Sequence, residues 1–205
     1  MRKINGLLCG TIKKSVIVPF MFLLTTSCIK EHSVEVPPSS TSISIFTKET
    51  PPGATYHDST VAGIELGLKF RSAVAGRANG IKFYKTAGNT GTHTAQLYSH
   101  DGTLLASQVF SSETDSGWQT VLFKTAIPIA ADTTYIAAYH SSLGYYTLTI
   151  NGLKTAITNG PLTALADSTD GINGLFKYTD TPDLPDSGFR SSNYWVDIIE
   201  EVSND

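Results

Sequence analysis

Cysteine is almost missing from this chain of 205 residues: there are two, Cys9 and Cys28, and none beyond. The long stretch after position 28 therefore forms no disulfide and holds no thiolate nucleophile or cysteine-ligated zinc. A membrane-spanning run is missing as well. Val16 to Leu24 is apolar but broken by Pro19, and it falls short of the roughly 20 residues that a spanning helix needs. Positive charge is scarce, with 15 Lys and Arg against 18 Asp and Glu, which removes the electrostatic case for nucleic acid. Helical periodicity is weak, no internal repeat is visible, and a G-x-S-x-G nucleophile elbow is absent.

What is present begins with a signal. Arg2, Lys3, Lys13 and Lys14 precede the apolar run, and the small polar series Thr25, Thr26, Ser27 leads into Cys28. This order marks residues 1–27 as a secretory signal peptide, cleaved before a cysteine that becomes the lipidated first residue. The segment Leu23 to Cys28 resembles a bacterial lipoprotein signal, with Thr25 where that pattern usually carries Leu. Cleavage there leaves 178 residues, and the 15 basic residues become 11 against 18 acidic, a formal charge of −7. Residues 28–42 are rich in Ser, Pro and Thr, so they read as the lipidated N-terminus and a flexible tether. Residues 43–205 read as a single domain, large enough to fold without disulfides.

From Ile43 onward, short alternating segments are separated by Gly, Asn, Asp and Thr turns. Ile64, Leu66, Leu68 and Phe70 alternate with Glu65, Gly67, Lys69 and Arg71, the pattern of a strand with one buried face. Further strands are expected at 81–85, 94–99, 104–110, 118–123, 135–139, 145–150, 175–178 and 194–202. His100-Asp101-Gly102-Thr103 supplies a hairpin turn. The helical candidate is one or two turns around Pro161 to Asp167. About eight to ten such strands imply an all-β domain, two antiparallel sheets packed as a jelly-roll-like sandwich with little or no helix.

A family likeness runs through several blocks. They are Gly63-Ile64-Glu65-Leu66-Gly67-Leu68-Lys69-Phe70, Gly80-Ile81-Lys82-Phe83-Tyr84-Lys85, Gly88-Asn89-Thr90-Gly91-Thr92-His93 and Gly102-Thr103-Leu104-Leu105-Ala106. Gly117-Trp118-Gln119, Tyr139-His140, Gly160-Pro161-Leu162 and Asn193-Tyr194-Trp195-Val196-Asp197 complete them. In this order, from about Ser44 to Glu200, they resemble a bacterial extracellular family known as domain of unknown function 4082. The resemblance implies a β-sandwich accessory module with a glycan-binding role and no known activity. Leu184-Pro185-Asp186 stands where the family tends to have an aromatic-Pro turn. The signal also resembles those of surface lipoproteins in the Bacteroidota, where charged residues such as Lys30-Glu31 after the cysteine mark the outer face.

Few residues suggest chemistry. Glu65 and Asp197 are carboxylates inside strands, where they are disfavoured, and together they are a candidate structural calcium site clamping the first and last core strands. The alternative is that each binds backbone amides or pairs with Lys69, Lys82 or Arg71. The Gly88–His93 loop has no following Lys and no helix, so it is a turn and not a phosphate cradle. Asp167 to Gly171 begins like a calcium loop, but Thr169 and Tyr178 fill positions that such a loop reserves for ligands. His93 and His140 lack metal spacing and read as structural. Aromatic residues are the best candidates for ligand contact: Trp118, beside Gly117, and Tyr145-Tyr146, of which one must face outward.

The expectation is a non-catalytic lipoprotein on the outer membrane, facing the exterior and held by its lipid alone, whose sandwich binds polysaccharide or another glycan. An alternative is a structural or adhesive subunit that contacts a surface protein partner. A polysaccharide hydrolase would need two carboxylates across a cleft, about 5–10 Å apart. Loop acids Asp101, Glu113 and Asp115 are available, but their spacing pairs none of them.

Overall fold

The computed structural model describes residues 39–51, 53–58 and 63–203. Cys28 and the signal lie outside the described residues. The strands in order are β1 (Ser40–Ile43), β2 (Tyr56–His57), β3 (Ile64–Ser72), β4 (Gly76–Lys85) and β5 (His93–Ser99). Then come β6 (Leu104–Val109), β7 (Gly117–Ile129), β8 (Tyr135–Ser141), β9 (Tyr145–Tyr146) and β10 (Ile157–Asn159). β11 (Leu162–Ala164), β12 (Leu175–Tyr178), β13 (Ser187–Gly188) and β14 (Val196–Ser203) complete the series. No helix occurs among the described residues. The smaller sheet has the order β1-β14-β4-β7, and the larger runs β10-β11-β3-β8-β5-β6. The paired strands are antiparallel throughout, and the sheets face each other as the expected β-sandwich.

Alternation decides what lies between the sheets. Ile64, Leu66, Leu68 and Phe70 of β3 join Ala137 and Tyr139 of β8 and Ile81, Phe83, Val196 and Ile198 of the smaller sheet in one core. Phe83 bridges the layers, its ring stacked 4.3 Å from Tyr139 and edge-on to Phe110 at 4.9 Å. Each such buried ring contributes on the order of 1 kcal/mol beyond its area. β8 is buried on both faces. Its other side, Ile136 and Ala138, meets Tyr98, Leu175 and Leu184 in a second small cluster on the outer surface of the larger sheet.

Three expectations change. Ser40 to Ser42, read as the end of the tether, belong to β1, which pairs with the last strand, Ser40 opposite Ser203. The helical turns expected around Pro161 are strand β11, which forms a hairpin with β10 and pairs with β3. Its Leu162 and Ala164 are buried on either side of Thr163, a period of two, and Gly160 turns the chain at φ +57°. The strand expected at 145–150 is only Tyr145–Tyr146, paired with β2, after which Thr149 makes a bridge to Asn193.

The edge of β3 is shared. β11 covers Phe70 to Ser72, and β12 covers Ile64 to Gly67. β12 starts at a tight crossing: a Cβ on Gly174, at φ +73°, would lie 2.0 Å from the Ser192 carbonyl oxygen, so only glycine fits. This crossing delivers Phe176 and Tyr178 to the end of the sandwich where β3 begins.

Candidate binding site

Aromatic rings gather at that end. Tyr178, the last residue of β12, sits opposite Ile64, the first of β3. Tyr146 arrives from β9 and Tyr194 from the turn before β14. With Phe176 and Phe189 these residues line a cavity of about 160 Å³. Its rings are mutually inclined: Tyr146 against Tyr194 at 64°, Phe176 against Tyr178 at 69°, and Phe176 against Tyr194 at 55°, with centroids 5.5 to 6.5 Å apart. Tyr178 and Phe189 are nearly half exposed, at 44% and 47%. The cleft is open to solvent on their side.

One carboxylate stands at its margin. The Tyr178 hydroxyl donates to Asp58 Oδ2 at 2.7 Å. That bond, with burial, pushes the phenol up to about 12. Burial raises the Tyr146 and Tyr194 phenols too, so all three stay neutral donors at physiological pH. The arrangement offers apolar rings with a few hydroxyls and a carboxylate at the margin, the composition of a small-molecule recognition site. A larger cavity of about 380 Å³ near Ser40, Gly76, Arg77 and Glu201 has no aromatic wall.

The residues expected to contact ligand are scattered. Tyr146 lines the cleft. Tyr145 lies outside it, stacked on His57 at 4.2 Å. Trp118 is on the outer face of the smaller sheet, beneath Lys82 Nζ at 4.4 Å and parallel to Phe46 at 6.1 Å. Asp58, Phe176, Tyr178 and Phe189 were not anticipated. The signal that could have found two of them was Phe176 and Tyr178, an i, i+2 pair on one strand face.

Glu65 and Asp197 are not brought together. Alternation places each on the face away from the core, but in different sheets, so the whole sandwich lies between them. Asp197 Oδ1 accepts the amides of Ile45 and Ile198 at 3.0 and 2.8 Å, and Oδ2 accepts Phe46 N at 2.8 Å. Lys82 Nζ completes its shell at 3.3 Å. With four N–H donors around it, this carboxylate is satisfied as the amide-binding alternative describes. Glu65 is buried beneath residues 183–185 and has thinner company. Asp183 N donates to Oε2 at 3.4 Å, and the Gln96 amide, with its nitrogen turned inward, donates to Oε1 at 2.6 Å. Among the described residues, no three His, Cys, Asp or Glu side chains are grouped to hold a metal ion.

The remaining candidates have structural partners. His93 is buried, its Nδ1 donating to Glu113 at 2.9 Å and its Nε2 facing the Asn89 amide at 2.9 Å. Burial holds its pKa below the usual value despite Glu113. His140 Nε2 donates to the Thr179 carbonyl at 3.0 Å. Asp167 accepts Asn173 N and the Ser191 hydroxyl, bracing its loop from within. Of the loop acids, Glu113 pairs with Lys85 at 2.9 Å, while Asp101 caps the β5–β6 turn at the far end of β5.

Comparison with known families gives one match. Residues 48–196 fit the model of the family described as Domain of unknown function (DUF4082). The chain belongs to this family. The matched segment includes five of the six cavity-lining residues in its β12 to Tyr194 portion and β9, and Ile64 as the sixth. The family's description assigns it no catalytic activity. No curated protein matches the chain.

Proposed function

We propose that this is a non-catalytic cell-surface lipoprotein that binds glycan in the aromatic cleft. The observation that carries the reading is the cavity itself. Tyr146, Phe176, Tyr178, Phe189 and Tyr194 turn apolar faces and edges toward a space of about 160 Å³, with Asp58 at its margin. Sugar rings present C–H faces to such rings while hydroxyls bond phenols and carboxylates. Screening the protein on a glycan array, beside Phe189→Ala, tests it. Binding that the substitution abolishes in a folded protein is expected; a blank array sinks it. Placement at the outer membrane rests on Cys28. Fatty-acid labelling that survives Cys28→Ala would remove that part.

A surface-protein partner is the second reading, favoured by one observation. The edge strands β6 and β7 expose Leu104, Val109 and Leu122, and such edges can pair with another chain. Retention of an outer-membrane protein in a pull-down, lost when Leu122 becomes Lys, would support it.

A further inference from the structure

We infer that the aromatic cleft selects a ligand carrying a positively charged nitrogen, an amino-sugar unit or an alkylammonium substituent, over its neutral counterpart. For the sugar the inference rests on the glycan reading above; for the charge it stands on the geometry of the rings. A flat sugar is best received by a broad exposed ring or coplanar rings. The rings here stand at 55° to 69° to one another around a small space, which makes a cage. The face of an aromatic ring is the negative end of its quadrupole, so a cage of this kind suits a compact cation with little hydration to lose.

Charge around the cage points the same way. Among the described residues, no Lys or Arg lines the cavity. Asp58 accepts the Tyr178 hydroxyl, which draws electron density toward the ring and adds a negative field at the rim. Arg190 lies outside the lining set, its guanidinium carbon 5.9 Å from the Phe189 ring centre. One of the rings is therefore already approached by a cation from its own chain. An external cation would compete with it, and that gives the test a second sign.

The experiment is calorimetry on the full-length protein with three probes: glucosamine oligosaccharides, N-acetylglucosamine oligosaccharides of the same length, and choline. Acetylation removes the charge and leaves the ring, so the first two isolate the nitrogen. Glucosamine oligomers are expected to bind about tenfold more tightly than their acetylated counterparts, the scale of a partly desolvated cation–π contact. Asp58→Asn should reduce that ratio, and Arg190→Ala should raise it, because they change the local charge in opposite directions. Both residues are at the surface margin, and unchanged thermal unfolding shows that the fold is kept. Choline bound more tightly than glucosamine assigns the cation to an alkylammonium substituent; the reverse assigns it to the sugar. Equal or tighter binding of the acetylated oligomers overturns the inference and leaves the glycan reading intact. Choline bound with no oligosaccharide bound keeps the cage and overturns the glycan reading. If no probe binds and the array is blank, both fall.

Discussion

Asp197 and Glu65 are buried on the two outer faces of the same sandwich, each beneath a covering segment, and they behave as opposites. Around Asp197 the chain provides three backbone amides and Lys82. Around Glu65 it provides one long amide contact and Gln96. Burial raises both carboxyls, but Asp197 only to about 6, because Lys82 and the amides pull it back, and Glu65 to about 9. At neutral pH the first is an anion holding Ile45 and Phe46 over its sheet, and the second is an uncharged acid. Two carboxylates with the same burial thus do different work. The covering segment at Asp197 is pinned by charge, and the one at Glu65 is held by packing around Leu184 and Pro185.

The same edit at both sites should therefore have opposite signs. Asp197→Asn sets an amide NH₂ against two of the four N–H donors and leaves Lys82 without its counter-charge. It should destabilise at pH 7 by about 1 to 3 kcal/mol, the upper end being that of a broken buried pair and the lower end reflecting a carboxyl that burial already raises to about 6. Urea unfolding of the variant measures it, and a loss below about 1 kcal/mol would mean that Asp197 is not the pin. Glu65→Gln should instead stabilise near neutral and alkaline pH. The folded pKa of Glu65 lies above its ordinary value of 4.5, so its contribution is complete below 4.5 and is lost as pH rises through about 9. Glutamine does not titrate and escapes that loss, which amounts to at least about 1 kcal/mol at pH 8 and vanishes by about pH 4. Denaturant midpoints at the two pH values check the slope. A variant less stable than the parent at pH 8 would put the charge back on Glu65.

Both residues were conspicuous in the sequence, as carboxylates inside alternating strands. Period two shows that Glu65 faces away from Leu66 and Leu68, and that Asp197 faces away from Val196 and Ile198. It does not show which sheet a strand joins, so the two could be imagined side by side when the core separates them. The same limit explains the rest. The regular strands β3 to β8 were legible because each carries its own alternation and turn residues. β1 was not, since Ser40 to Ile43 is polar and becomes a strand only by pairing with β14. β11 was too short for its period to outweigh the apparent helical run. In the cleft, Tyr146 was legible as an aromatic that need not be buried. Asp58 and Phe189 lie in loops 131 positions apart, and only the completed fold makes them neighbours of the same cavity.

Glu200 supplies the intermediate case and the smallest effect. It is fully buried on the core side of β14, opposite Ala78, and among the described residues neither carboxyl oxygen has a hydrogen-bond partner. A Cβ on Gly76 would press against its Oε1, so the glycine there makes room for the side chain. Burial pushes Glu200 up to about 7. Its folded pKa is again the raised one. Stability from the neutral acid is full below 4.5 and declines as pH climbs through about 7, a narrower window than that of Glu65. Glu200→Gln should accordingly be near neutral at acid pH and stabilise by a few tenths to about 1 kcal/mol at pH 8. The three amide substitutions measured together would then rank as the folded carboxyls do, with Asp197 (about 6) negative, Glu200 (about 7) slightly positive and Glu65 (about 9) most positive. A different order would show that the charge each buried acid carries near neutral pH is not what sets the sign of its substitution.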